Sequence, residues 1–301
     1  MQQANVNITT SWQQTCGDFF QLTKPRIITL LLITTAGAMW LAGQGHVDPL
    51  LLLMTILGGA LASCSANTFN CVIDRDIDAL MERTRTRPLP AGRLQPWQAL
   101  VFGAILAGLS FVILNLAANL LSALLAQLGI LFYVLVYSLW LKRTTTQNIV
   151  IGGAAGAIPP LVGWAAVTGQ VNLSALALFL IVFLWTPPHF WALAMFIGEE
   201  YRKAGVPMLP VIAGNRATTQ QMLFYTIATV LATLLLFPLG VAGWFYLIAA
   251  SILGVAFIER MLRLVRDYDN LQEARSLFRF SILYLMLLFV AIGVDSLRYL
   301  L

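Results

Sequence analysis

The sequence predicts an all-α, polytopic membrane bundle of nine transmembrane helices with a cytoplasmic N-terminus. Three observations lead there: the composition, the recurrence of long apolar stretches, and the placement of basic residues in alternate loops. The chain is 59% hydrophobic and only 10% charged, with a mean hydropathy of +0.81, whereas soluble domains are roughly 25% charged. Bilayer is therefore the expected solvent, and a soluble or nucleic-acid-binding protein is excluded.

Apolar stretches of about 20 residues, the length that crosses hydrocarbon as a helix, fall near 26–44, 49–73, 97–118, 120–140, 149–168, 172–195, 221–240, 242–259 and 280–297. Backbone groups in lipid must satisfy one another, which selects helices. The loops between them are short, so residues 1–301 are expected to form one intramembrane domain. Residues 1–23 form a polar tail without the order of a cleavable signal peptide.

Of the 18 basic residues, all but Arg298 fall in loops on one side of this arrangement. The positive-inside rule makes that side the cytoplasm. Cys16, Cys64 and Cys71 lack metal-ligand spacing and suggest no disulfide framework.

Span two ends in Asn67-Thr-Phe-Asn70-Cys-Val-Ile-Asp74-Arg-Asp76-Ile-Asp78. At about 100° per residue, Asn67, Asn70, Asp74 and Asp78 share an arc of about 80°, while Asp76 lies opposite and is expected to pair with an Arg. Two carboxylates one turn apart at the edge of lipid are costly unless a cation lies between them. Mg²⁺ answers that need, because it is held by one or two carboxylates while substrate phosphates fill other positions. Asn70 and Asn67 would add neutral groups to the same face. The alternative is a helix end that simply emerges into water.

The next loop carries Arg83, Arg85, Arg87 and Arg93, and Pro88 and Pro90 are expected to hold it extended. Guanidinium groups match phosphate geometry, although positive-inside topology alone would also place them here. Lys142 and Arg143 open another basic turn on the same side. The glycines of Gly152-Gly153-Ala-Ala-Gly156 read as helix packing rather than a phosphate cradle. In span six, Pro187-Pro188 predicts a broken helix lining a cavity, and His189 follows. Two roles stand for His189: an axial ligand to haem iron or a hydrogen-bonded core residue. Glu199 and Glu200 suggest a second metal position beside Arg202 and Lys203, with mutual salt bridging as the alternative. Arg260, Arg263 and Arg266 read as an interfacial helix on anionic lipid.

Asn70-x-x-x-Asp74-x-x-x-Asp78 at the end of helix two of nine resembles the UbiA-type intramembrane prenyltransferase superfamily. Further blocks, Leu141-Lys142-Arg143-Thr144-x-x-Gln147-Asn148, Thr186-Pro187-Pro188-His189-Phe190-Trp191 and Tyr201-x-x-Ala204-Gly205-Val206-Pro207-Met208-Leu209-Pro210, are similar to its haem-farnesylating branch. The resemblance implies that Asp74 and Asp78, with Asn70, hold Mg²⁺ on farnesyl diphosphate. It implies also that Arg87, Lys142 and Arg143 neutralise the leaving diphosphate, with Arg83 and Asn67 near it. Catalytic roles then fall to Asn70, Asp74, Asp78 and Lys142. Members often carry a second Asp-rich motif after helix six, where this chain has Glu199-Glu200.

The implied reaction joins farnesyl C1 to a vinyl group of haem b, a substrate rather than a cofactor, with addition of water to give haem o. Haem A synthase or terminal oxidase assembly factors would be partners, and the cell inner membrane the location. A prenyltransferase for an aromatic acid or quinone precursor, and a non-catalytic transporter, are the competing expectations. A transporter would place its binding residues near the midplane, usually at internal repeats; these carboxylates instead crowd one membrane face.

Overall fold

In the computed structural model, which describes residues 12–299, every element is helical. Helix α1 (Trp12–Leu22) precedes α2 (Pro25–Ala42), α3 (Pro49–Ile73), the short α4 (Arg75–Leu80) and α5 (Pro96–Ala117). Helix α6 (Leu120–Leu131) continues as a π-helical segment (Phe132–Leu141) into α7 (Lys142–Thr144). Then follow α8 (Asn148–Thr168), α9 (Leu173–Phe196), α10 (Gly198–Lys203), α11 (Leu209–Leu234), α12 (Trp244–Arg266) and α13 (Leu271–Asp295).

Eight of these are long and apolar enough to cross a bilayer. The span expected at 221–240 corresponds to α11, which reaches 26 residues but carries Thr and Gln on several turns and is not among the eight. Gly214, at φ 77, divides α11 near its start, so its regular part begins well inside the element. The expected polar tail is helical from Trp12. Asp18 is buried there against Arg93, with Oδ1 3.0 Å from the guanidinium; residues 1–11 lie outside the described residues.

Small residues bring the helices together, as expected where lipid supplies no hydrophobic drive between them. On α3 and α5, Ser65 donates to the Gly103 carbonyl at 2.8 Å and Ser110 to that of Gly58 at 2.8 Å. Gly163 of α8 lies so close to α2 that a Cβ would sit 2.4 Å from the Thr35 carbonyl oxygen. Gly152 and Gly153 are packing glycines too, abutting Tyr137 and Thr186.

The break expected at Pro187-Pro188 does not occur: α9 runs unbroken from Leu173 to Phe196. Both prolines are buried among neighbouring helices, the setting in which membrane helices tolerate them. Thr186 Oγ1 bonds the Val182 carbonyl at 2.8 Å, and Trp185 Nε1 reaches across to the Ser281 carbonyl at 2.8 Å. Nor do Arg260, Arg263 and Arg266 form a separate interfacial helix. They are the last turns of α12, whose apolar stretch continues straight into them. The three cysteines are unpaired.

Candidate active site

Helix α3 ends at Ile73, and Asp74 (φ −86, ψ 5) both closes it and opens α4. The break costs little regularity. The Asp74 amide still donates to the Asn70 carbonyl at 2.9 Å and the Asp78 amide to the Asp74 carbonyl at 2.7 Å. The i, i+4 face therefore survives the joint, and Asn70, Asp74 and Asp78 are all buried on it. A helix end simply emerging into water would expose them. Asp76, on the opposite face, is exposed and pairs with Arg143, as the helical wheel predicts.

Asn70 is the hub of the cluster. Its Nδ2 donates to Asp74 Oδ2 at 2.8 Å and to Ser138 Oγ at 2.9 Å, while its Oδ1 accepts from Lys24 Nζ at 2.6 Å. Asp74 Oδ2 also pairs with the Lys142 ammonium. Asp74 Oδ1, by contrast, is enclosed and has no hydrogen-bond partner. An enclosed carboxylate oxygen without a partner is costly, and a cation is the ligand that answers it. The two carboxylates, Asp74 and Asp78, fit a hard divalent ion, with Asn70, its oxygen given to Lys24, holding Asp74 in place. Asp78 gives Oδ2 to Arg87 at 2.7 Å, and Thr84 Oγ1 holds the Asp78 carbonyl at 2.9 Å.

The loop that delivers Arg87 is a series of tight turns, not the extended path expected from its prolines. The Arg87 amide bonds to the Thr84 carbonyl at 2.9 Å, and the Arg93 amide to that of Pro88 at 2.9 Å. Prolines at 88 and 90 suit turns as well as extended chain, and the buried Met81, Leu89 and Leu94 decide for turns.

The residues predicted for diphosphate separate here. Arg87 and Lys142 lie on the carboxylate face. Arg143 turns away, clamping Asp76 with two bonds of 2.7 Å and the Ile73 carbonyl at 2.8 Å. The hydrogen bonds from Arg143 hold the Asp76 carboxyl well below its usual range, at about 2. Asn67 spends its amide on the Thr23 carbonyl at 3.0 Å, securing the junction before α2. Arg83 is exposed and makes no ion pair among the described residues. Glu199 pairs with Arg202 on the surface, whereas Glu200 is half-buried with Oε2 enclosed and unpartnered. No group of three or more metal-ligating side chains stands assembled among the described residues. His189 is buried between Trp185 and Phe278, at ring centroid distances of 4.3 and 4.7 Å, with Nδ1 2.7 Å from Ser281 Oγ.

Several contributors are given no site role by the sequence patterns. Lys24, marking only topology there, sits at φ 52 between α1 and α2, and burial pulls its ammonium pKa below the ordinary value. Ser138 reaches Asn70 because the π-helical turn lets its hydroxyl bond the Tyr133 carbonyl five residues back, at 2.8 Å. Tyr201 of α10 is buried within reach of the charges of Lys142, Arg83 and Asp74, and burial raises its phenol. The Lys-Pro step at residues 24–25 is the one signal that would have flagged Lys24, since proline fixes where α2 starts.

The model of the UbiA prenyltransferase family matches residues 31–283. The protoheme IX farnesyltransferase of Gloeobacter violaceus is 66% identical over 280 residues, covering 93% of this chain and 92% of that one. That of Acaryochloris marina is 60% identical, covering 94% and 88%. Among solved structures, a digeranylgeranylglyceryl phosphate synthase superposes with a TM-score of 0.78 at 22% identity, over 95% of this chain and 99% of that one. A UbiA homolog from Archaeoglobus fulgidus bound to DMAPP and Mg²⁺ gives 0.63 at 17% identity, over 92% and 99%.

Proposed function

This chain belongs to the UbiA prenyltransferase family, and from that premise we propose that it transfers farnesyl from farnesyl diphosphate to a vinyl group of haem b. The observation that carries the diphosphate chemistry is the partnerless Oδ1 of Asp74, enclosed at a helix end beside Asp78 and ringed by Lys24, Arg87 and Lys142. The haem acceptor rests on the relatives named above, whose identity of 60–66% extends along nearly the whole chain.

In this reading Asp74 and Asp78 hold Mg²⁺, with Asn70 setting the angle of Asp74. Glu200 is the acidic side chain left for a second ion, since Glu199 is committed to Arg202. Bound Mg²⁺ neutralises phosphate charge and so eases departure of the diphosphate. Lys142 and Arg87, which meet the carboxylates here, exchange those partners for phosphate oxygens when substrate arrives. They then absorb the charge that develops as the C1–O bond breaks. Farnesyl C1 is attacked by the vinyl terminus of haem b, leaving a cation on the adjacent carbon. Water adds there, a proton is lost, and the product is the hydroxyethylfarnesyl haem, haem o.

His189 lies on α9, and its tautomer supports a place beside the haem. The Ser281 hydroxyl donates to the Phe278 carbonyl at 2.7 Å, so the Ser281 oxygen accepts from Nδ1–H. That leaves Nε2 with its lone pair, the arrangement in which metal-bound histidines are held by a second partner.

The chain is a multi-pass membrane protein, and its basic loops support nine spans, a cytoplasmic N-terminus and a cytoplasmic site in the cell inner membrane. Haem A synthase and terminal oxidase assembly factors are the partners that the product's chemistry would require. The test is mass spectrometry of haem after incubating purified protein with haem b and farnesyl diphosphate, with Mg²⁺ and with chelator. A metal-dependent gain of one farnesyl plus one water is expected. Unchanged haem b with both substrates bound would overturn the acceptor.

A further inference from the structure

Away from the carboxylate site, α12 and α13 form an outward groove of about 540 Å³, a volume within the range of small-molecule sites. Its walls carry Arg260, Arg275 and Arg279 with Gln272 and Ser276, and below them Phe280 and Leu283. None of the three arginines has an acidic partner among the described residues, whereas neighbouring Arg263, outside the groove, pairs with Glu259 at 2.5 Å. Arg275 and Arg279 stand one helical turn apart, a like-charge spacing that destabilises a helix. Two of the cations rest on aromatic faces instead: Arg260 lies 3.9 Å from the Phe280 centroid and Arg275 5.4 Å from that of Phe196. Arg260 also donates to the Ala256 carbonyl at 3.0 Å, but three guanidinium groups without a carboxylate converging on one groove call for an anion.

The depth of the groove names the kind. Both helices change from basic to apolar along it, α13 passing from Arg275 and Arg279 to the lipid-length stretch beginning at Phe280. Arginine fits phosphate oxygens by paired hydrogen bonds, and exposed Leu283 continues into the lipid-facing side. We propose that this groove binds an anionic phospholipid, its phosphodiester held by Arg260, Arg275 and Arg279 and an acyl chain lying along Phe280 and Leu283. The ligand is structural or regulatory lipid, separate from the prenyl substrate and from the carboxylate cluster.

Native mass spectrometry of the full chain, released from micelles holding equal phosphatidylglycerol and phosphatidylcholine, tests this. A one-to-one phosphatidylglycerol adduct is expected, and Arg275→Gln with Arg279→Gln should weaken its retention roughly tenfold or more. Both side chains are exposed, and Arg279→Gln alone carries the same test if the double variant folds poorly. Arg263→Gln, one charge fewer outside the groove, should retain the adduct. Equal retention of the two lipids, or an equal loss in Arg263→Gln, would overturn the site as mere surface charge. Binding of an acidic peptide without any preference for phosphatidylglycerol would overturn it in favour of a protein partner.

Discussion

Lys24 reaches across 46 positions of sequence to place its Nζ 2.6 Å from Asn70 Oδ1. This contact fixes which way the Asn70 amide faces. With Oδ1 given to a cation, Nδ2 is left to donate, and it does so to Asp74 and Ser138. A lysine at the entry to α2 thus sets the carboxylate at the end of α3.

Replacing Lys24 should therefore act through Asn70. A hydrogen bond to a charged group contributes about 1.5–3 kcal/mol, so Lys24→Ala should lower kcat/KM for haem o formation roughly tenfold to a hundredfold. Lys24→Arg should recover part of the loss. Steady-state kinetics at saturating haem b check this, and an unaltered rate in Lys24→Ala would remove the lysine from the site.

Asp74→Asn and Asp78→Asn should each reduce turnover by about a hundredfold to a thousandfold, the range seen when a group stabilising transition-state charge is removed. Both variants should still insert and be recovered as monodisperse protein. Chelation should abolish wild-type activity, with Mg²⁺ restoring it. A variant retaining full activity would withdraw that carboxylate from the metal site.

The spacing from Asn70 to Asp78 is legible because the hydrogen-bonding pattern crosses the α3–α4 joint intact, so a helical wheel drawn on sequence still describes the folded face. Lys24 is not, because its contact joins segments far apart in sequence and positive-inside topology already accounts for a lysine there. Ser138 is hidden for a different reason: a wheel of 3.6 residues misplaces side chains on a π-helical segment. Pro187-Pro188 misleads because both prolines are buried among neighbouring helices, which tolerate them inside a membrane helix, and no local pattern reveals that packing. The nine-span pattern is nearly that of the eight long apolar helices, with the difference confined to α11, which carries polar residues and ends at Leu234.

Arg143 and Asp76 should behave as one unit. Because Arg143 binds Asp76 and Ile73 rather than the carboxylate face, Arg143→Ala and Asp76→Ala should give similar, modest losses, and the double variant little more. A much larger loss in Arg143→Ala would place that guanidinium on the diphosphate.

The same pair predicts a pH effect with a definite sign. Asp76 has its carboxyl pKa lowered to about 2 in the folded chain, below the ordinary aspartate value of about 3.9. The clamp's contribution is thus complete above about pH 4 and is lost as pH falls through about 2. Asp76 is largely exposed, which limits the contribution to about 1 kcal/mol or less. The melting-temperature gap between wild type and Asp76→Asn should be open at neutral pH and close in strong acid. A gap that widens on acidification would refute the assignment.

His189 and Ser281 supply the test of the haem side. The Ser281 hydroxyl proton is committed to the Phe278 carbonyl, so the imidazole carries its proton on Nδ1 and offers the Nε2 lone pair. If Nε2 meets haem iron, His189→Ala should shift the Soret band of bound haem b and weaken its retention. Ser281→Ala should preserve the ligand but lose orientation, with haem affinity falling about tenfold to a hundredfold, as for partners behind metal-bound histidines. Both effects are read by titrating haem b into detergent-purified protein. A Soret band identical in wild type and His189→Ala, at equal haem occupancy, would make His189 a core residue sandwiched between Trp185 and Phe278, and its Ser281 bond a packing contact alone.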